Sequence, residues 1–184
     1  NWNHRLLPMI MVFAGRVDLN SVTPPTQKVW AGEGVTPVVL VHTDWTWSDT
    51  DKYQGIKGGK ARSSHAHMDA GSFVYDAYGV RWSMDLGRQD YATLEVALKA
   101  LGGNLWTYTQ ASLRWEVSRL NNFFHSTLTV NDAKHRVEGF ATLEQTINTA
   151  TEQGGTFDLS PVLEDQVASA MRTVKIVNDK DLTD

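Results

Sequence analysis

The chain has 184 residues, with 41% hydrophobic and 10% aromatic side chains, enough for the core of one ordinary domain or of a piece of a larger one. A formal net charge of −4 argues against a nucleic-acid or acidic-membrane binder, which normally needs a basic surface, although the 17 Lys and Arg could still form a local patch. The lack of Cys excludes disulfides, zinc ribbons and Cys nucleophiles, and no stretch reaches the roughly 20 apolar residues of a membrane-spanning helix.

The first segment predicts a short helix followed by a linker. Residues 2–15 are largely apolar and indicate a mostly buried helix, or the end of one, that Pro8 interrupts early. Residues 19–27, LNSVTPPTQ, predict a linker because two prolines and small polar residues cannot continue a helix. The chain opens on Asn1 rather than Met, so we expect it to be cut from a longer polypeptide.

The next part of the chain has the alternation and the turn residues of antiparallel strands. Residues 36–45 are rich in β-branched side chains, and residues 51–61 predict a second strand that ends in a glycine turn. Residues 71–87 predict a hairpin with a Tyr-Gly turn. Residues 90–103 predict a helix instead, because they carry an apolar stripe that ends in two glycines.

Strands resume in the C-terminal part of the chain. Residues 125–132, 138–151 and 169–179 show a similar alternation. The last hairpin signal lacks a second strand, which would leave an exposed sheet edge, so we expect a truncation at this end too. Many strands separated by turns indicate a mainly β fold, an antiparallel β-sandwich.

The segment SSHAHMDAGSF concentrates more reactive side chains than any other. In a strand, His65, His67 and Asp69 would share one face, where they could bind a metal, catalyse a reaction or form a polar surface. Zinc needs three or four ligands, drawn from distant parts of a chain. Two candidates are Asp85, a carboxylate in an apolar stretch, and His125, at the start of a patterned strand. A turn-capping aspartate and a surface histidine are the alternatives.

Two segments carry a family resemblance: KGGKARSSHAHMDAGSFVYDAYGVRWSMDLGRQDY and, downstream, RLNNFFHSTLTVN. They resemble the central β-domain of the heparinase II/III-like polysaccharide lyases over roughly residues 28–165, and the H-x-H-x-D-x-G-S-F block is the most specific part. In that family a helical toroid precedes a multi-layered antiparallel β-sandwich, and sugar binds in the cleft between them. The resemblance implies that residues 1–27 are the end of the helical domain with a linker, and that residues 28–184 are the β-sandwich.

The same resemblance divides the two histidines of the motif. His67, Asp85 and His125 match the family's metal positions, usually occupied by Zn²⁺, and His65 matches a histidine that points into the cleft and takes part in catalysis. The family's acid–base tyrosine and the group that neutralises the substrate carboxylate lie in the upstream helical domain. We expect Asp69 to serve local structure, and we expect a turn or bulge around the residue between the two histidines.

The resemblance implies part of a polysaccharide lyase that cleaves uronic-acid-containing glycans, heparin- or heparan-like or related, by β-elimination, and we expect this chain to be inactive without the helical domain. Weaker candidates for sugar contacts, each with an ordinary surface or core role as its alternative, are Arg62, Arg88, Tyr91 and Arg119. Two other functions stay open: a non-catalytic carbohydrate-binding or structural β-module with a structural metal, and a metal-dependent glycan hydrolase. The family also implies a periplasmic or secreted protein whose partners are an acidic polysaccharide and the helical domain, with an oligomer as an open question.

Overall fold

The computed structural model describes residues 6–46 and 48–184, and within them two α-helices and nine strands. The helices are α1 (Leu7–Ala14) and α2 (Tyr91–Ala100). The strands are β1 (Val29–Gly32), β2 (Val38–His42), β3 (Tyr53–Lys57), β4 (Phe73–Ala77), β5 (Val80–Ser83), β6 (Thr142–Asn148), β7 (Glu152–Asp158), β8 (Met171–Val177) and β9 (Asp181–Thr183).

The strands form two antiparallel sheets that pack face to face. Each strand pairs with its neighbour in sequence, β1 to β5 in one sheet and β6 to β9 in the other. Val39 and Ile56 of the first sheet and Phe157 and Val174 of the second are buried in a common core. At Gly155 a Cβ would lie 2.8 Å from Cγ2 of Val39, so glycine allows the sheets to approach closely here. The predicted antiparallel β-sandwich is confirmed.

The β4–β5 hairpin has the turn that its sequence predicts. Tyr78 and Gly79 adopt φ angles of 56° and 72°, as the two central residues of a type I′ turn require. Asn178 and Asp179, each with a φ of 52°, reverse the chain between β8 and β9 in a similar way. The expectation that the last hairpin lacks its second strand is therefore wrong, because β9 pairs with β8.

A second apolar cluster lies beside the loop that carries the His-x-His motif. The predicted helix α2 forms, and the carboxylate of Asp90 caps its first turn by accepting two backbone N–H groups. Leu94 and Leu98 of α2 share a buried cluster with Met68 of the loop and with Trp115. Because Met68 directly follows the second histidine, this cluster anchors the loop to α2.

Other sequence expectations fail for local reasons. Residues 125–132 form no strand, and Asn131 and Asp132 adopt left-handed φ angles of 50° and 51° that turn the chain. The short strand β1 and the glycine-containing strand β7 were not expected. The residues of α1 are exposed rather than mostly buried. The division at residues 1–27 and 28–184 stays a prediction.

Among residues 6–46 and 48–184, no helix combines the length and the apolar character that crossing a membrane requires.

Candidate metal centre and active-site loop

The His-x-His motif lies on a loop, so the strand alternation expected for it is wrong. The N–H of Ala66 donates to the carbonyl of Ser63 at 3.0 Å, which closes a turn in which His65 has a φ of 64°. Positive φ is uncommon outside glycine, and His is one of the residue types enriched there. The turn expected around Ala66 is present, and the side chains of His65 and His67 meet different neighbours on its two sides.

His65 packs against an aromatic group that α2 and the following loop supply. Its ring stacks on Tyr91 with centroids 5.5 Å apart and meets Trp106 edge-on at 5.4 Å. Nδ1 of His65 lies 3.2 Å from the hydroxyl of Tyr91, and the backbone N–H of His65 donates to the hydroxyl of Tyr108 at 3.1 Å. His65 is nevertheless exposed, so its imidazole is held in place and open to a ligand.

Arg114 fixes the loop between the two histidines, and the sequence reasoning missed it. Its side chain is fully buried, and it donates to the carbonyls of Ala66 and Leu105, both at 2.7 Å. Its guanidinium also lies over the rings of Tyr108 at 4.6 Å and Trp115 at 5.1 Å. The stretch SLRWE gives no sign that its arginine is buried, because one of the two carbonyls that accept its hydrogen bonds, that of Ala66, is 48 residues away along the chain.

On the other side of the turn, His67 meets a group of metal-ligating side chains. Potential ligand atoms of His67, Asp69 and His125 all lie within 4.8 Å of one another. Asp85 adjoins them, with Oδ2 2.5 Å from Nδ1 of His125. Asp69 also pairs with Lys57 at 2.6 Å. The structure therefore brings two of the three predicted ligand residues, His67 and His125, within reach of one ion, and adds Asp69, for which we expected a local structural role. The third predicted ligand, Asp85, lies against His125.

The hydrogen bonds of His125 orient its ring toward Asp85. Nε2 lies 3.1 Å from the carbonyl of Arg119, and since a carbonyl can only accept, Nε2 carries the proton of that bond. Nδ1 therefore either donates to Asp85 or shares a metal ion with it. Metal-binding histidines commonly donate their second ring N–H to a carbonyl or carboxylate in this way. Two imidazoles and a carboxylate are a donor set that zinc accepts.

The charge states of two of these groups suit metal binding. Burial lowers the pKa of His67, which keeps its imidazole neutral near pH 7. The hydrogen bond from His125 lowers the pKa of Asp85, which keeps this carboxylate ionised, although partial burial opposes the shift. Because metal ligands must be deprotonated, the neutral imidazole of His67 and the ionised carboxylate of Asp85 both suit a cation, which would replace the proton between Asp85 and Nδ1 of His125.

The weaker candidates for sugar contacts have different surroundings. Tyr91 touches His65, as described above. Arg62 is exposed and pairs with Glu138. Arg88 is also exposed. The guanidinium of Arg119 donates to the carbonyl of Leu86, so this side chain holds the segment after Asp85.

Two adjoining cavities open around the turn. One, of about 350 Å³, reaches from His65 to His67 and Asp69. The other, of about 400 Å³, is lined by Arg62, Trp106 and Tyr108, among others. Ser63 and Ser64 line both cavities, so the two form one depression with His65 in it.

Comparison with known families gives one match. The family model described as "Heparinase II/III-like, C-terminal" matches residues 49–159, which is more than half of the chain and contains all the site residues named above. A comparison with curated protein sequences returned no match.

Proposed function

The chain belongs to the heparinase II/III-like C-terminal family, and from this premise we propose that it is part of a polysaccharide lyase. The proposed substrates are uronic-acid-containing glycans, heparin- or heparan-like or related, cleaved by β-elimination. The observation that carries the proposal is the placement of His65. Its exposed imidazole lies in a surface depression, with the Tyr91 hydroxyl 3.2 Å from Nδ1.

β-Elimination needs a group that moves a proton. A base removes the C5 proton of the uronate, the electrons of that bond form a C4=C5 double bond, and the C4–O bond breaks as the leaving sugar oxygen takes up a proton. An imidazole can accept or donate a proton near neutral pH, so we assign such a transfer to His65. Tyr91 holds the ring of His65 by stacking and by its hydroxyl.

The negative charge that develops on the substrate carboxylate must meet hydrogen-bond donors. The family resemblance puts the main donor in the upstream helical domain. Within this chain, Arg62 beside the same depression is the best-placed cation for a carboxylate or sulfate, and Arg88 is a weaker candidate. Arginine suits such groups because its planar fork matches two oxygens.

We assign the metal as Zn²⁺, held by His67, His125 and Asp85, with Asp69 beside them. When bound, the ion would supply a fixed positive charge that crosslinks the motif to the segments of Asp85 and His125. Its proposed task is organisational: it fixes His67, and the turn at Ala66 then aims His65.

The proposed setting is the periplasm or the cell exterior, where acidic polysaccharides are found, and it rests on the family alone. The proposed partners are the acidic polysaccharide and an upstream helical domain that closes the cleft over His65.

The test is incubation of the parent protein, which carries the proposed upstream helical domain, with heparan sulfate, chondroitin sulfate and alginate, with ultraviolet absorbance recording the unsaturated product and a reducing-end assay run in parallel. We expect both signals to rise together, and His65→Ala to abolish both. Tyr91→Phe, which keeps the stacked ring, should retain more activity than Tyr91→Ala. New reducing ends without absorbance would instead establish the metal-dependent hydrolase. Retained glycan binding without either signal would establish the binding module.

A further inference from the structure

We propose that the outer face of the five-stranded sheet binds further pyranose units of the polysaccharide, in a groove that leads from the metal centre to His42 and Arg81. This inference rests on the proposed function for the identity of the glycan. The groove itself follows from the register of β2 to β5 and from the residues that this register places on the outer face.

The sheet register places the outward-facing residues in rows across the strands. Leu40, Gly55 and Val74 pair across β2, β3 and β4 in one row. The next row toward the far end of the sheet is polar, and successive pairings join its members across four strands: His42, Tyr53, Asp76 and Arg81. Because strand side chains alternate, these two rows lie on the face opposite the sandwich core.

Glycine at position 55 lets two neighbouring side chains of this face close over its backbone. A Cβ there would lie 3.0 Å from the hydroxyl oxygen of Tyr53 and 3.3 Å from a methyl of Leu40. The side chains of Tyr53 and Leu40 therefore cover the position where another side chain would stand, and together they form one surface that is part aromatic and part aliphatic. A tyrosine offers a sugar both an apolar ring and a hydroxyl that hydrogen-bonds.

Cavities join this face to the metal centre. One of about 270 Å³ is lined by Asp69 and Asp85 at one end and by Leu40 and Tyr53 at the other. Leu40 and Tyr53 also line a second cavity, of about 660 Å³, that continues to His42 and Arg81. From Lys57 to Tyr53, β3 covers about 13 Å at roughly 3.3 Å per residue, which is longer than one pyranose ring.

The far end of the groove has polar groups held in fixed orientations. Arg81 donates two hydrogen bonds to the carboxylate of Asp76, at 2.5 and 2.6 Å. Nδ1 of His42 lies 2.9 Å from Oδ2 of Asp51, and both side chains are almost completely buried. A few oriented polar groups beside apolar surface are what fixes a ligand in a protein cleft. The residues that line this cavity include the carboxylates of Asp51 and Asp76 and one guanidinium, that of Arg81, so this end favours sugar hydroxyls over sulfate groups.

The experiment measures how affinity depends on glycan length. Titration calorimetry with tetrasaccharides and decasaccharides of heparan sulfate, chondroitin sulfate and alginate is done on the wild type, Arg81→Gln and Asp76→Asn. Arg136→Gln is the matched control, because Arg136 is similarly exposed (42% against 52% for Arg81) and pairs with the exposed Asp165. Thermal melts check that each variant is folded.

We expect the wild type to bind the decasaccharide of at least one glycan more tightly than the tetrasaccharide. Arg81→Gln and Asp76→Asn should weaken decasaccharide binding at least about fivefold, or by about 1 kcal/mol, and leave tetrasaccharide binding unchanged. The groove proposal is wrong if the wild type binds both lengths with equal affinity or binds neither. It is also wrong if Arg136→Gln loses as much decasaccharide affinity as Arg81→Gln and Asp76→Asn. A length-dependent loss without any unsaturated product would keep the groove and reject the lyase.

Discussion

Replacing Arg114 by Met should destabilise the protein and, in the same variant, displace the loop that carries His65. The buried guanidinium makes two hydrogen bonds to carbonyls, and hydrogen bonds to charged groups contribute about 1.5–3 kcal/mol each. Part of the free energy lost with these two hydrogen bonds is offset in the Met variant, because this variant no longer buries a cation. We therefore expect the free energy of unfolding to fall by about 3 kcal/mol, which for a chain of this size lowers the melting temperature by roughly 6–12 °C.

Urea denaturation and product formation should be measured on the same protein samples. Arg114→Lys keeps the charge but lacks the two guanidinium nitrogens that donate to the carbonyls of Ala66 and Leu105. The stability of this variant should therefore lie between those of the wild type and Arg114→Met. Because Ala66 adjoins His65, the kcat of Arg114→Met should fall about 100-fold with a smaller change in KM. A loss of less than about 0.5 kcal/mol, or full stability with Lys, would refute this role for Arg114.

The remaining predictions concern pH, the metal and the sheet interface. Burial lowers the pKa of His135, and its buried Nδ1 has no hydrogen-bond partner among the described residues. The contribution of His135 to the free energy of unfolding should therefore be complete above about pH 6.5. As the pH falls below about 6.5 this free energy should decrease, by up to about 1.4 kcal/mol per pH unit, because the unfolded chain binds the proton first. His135→Gln should show a shallower fall in a urea titration over the same pH range. Asp85→Asn should weaken zinc binding at least about tenfold in a chelator competition, and Asp69→Asn should weaken it less because Lys57 already occupies that carboxylate. Equal losses of zinc affinity in the two variants would contradict this ranking of the carboxylates. Gly155→Val should cost about 2 kcal/mol or more in the same denaturation assay, since the new side chain would meet the opposite sheet, and an unchanged midpoint would show that the sheets can separate there.

The sequence predicts the parts of the fold that depend on local chemistry. Alternation and turn residues identify β2 to β4, and the Tyr-Gly turn identifies the β4–β5 hairpin. An apolar stripe identifies α2. β7 has glycines at positions 154 and 155, which weaken an isolated strand, and they fit only because the neighbouring strand and sheet pack tightly there.

The candidate site, like the fold, has features that the sequence predicts and features that it does not. The family resemblance indicates His67, Asp85 and His125, and the structure brings His67 and His125 together and places Asp85 against His125. Strand alternation predicts that the side chains of His65 and His67 lie on the same face. This prediction is wrong because the turn at Ala66 separates the two side chains. The burial of Arg114 is produced by tertiary packing that spacing along the chain does not reveal. The two-residue spacing between His67 and Asp69, in contrast, already suggests that these two side chains lie close together.

The most direct test of this account is the metal content of two variants. X-ray fluorescence of purified, zinc-loaded protein should show the wild-type amount of metal per chain in His65→Ala and little or none in His67→Ala. This result is expected because His67 lies among the potential ligands and His65 lies among the aromatic rings. Equal loss of metal in both variants would contradict the division of the motif into one histidine for the metal and one for the chemistry.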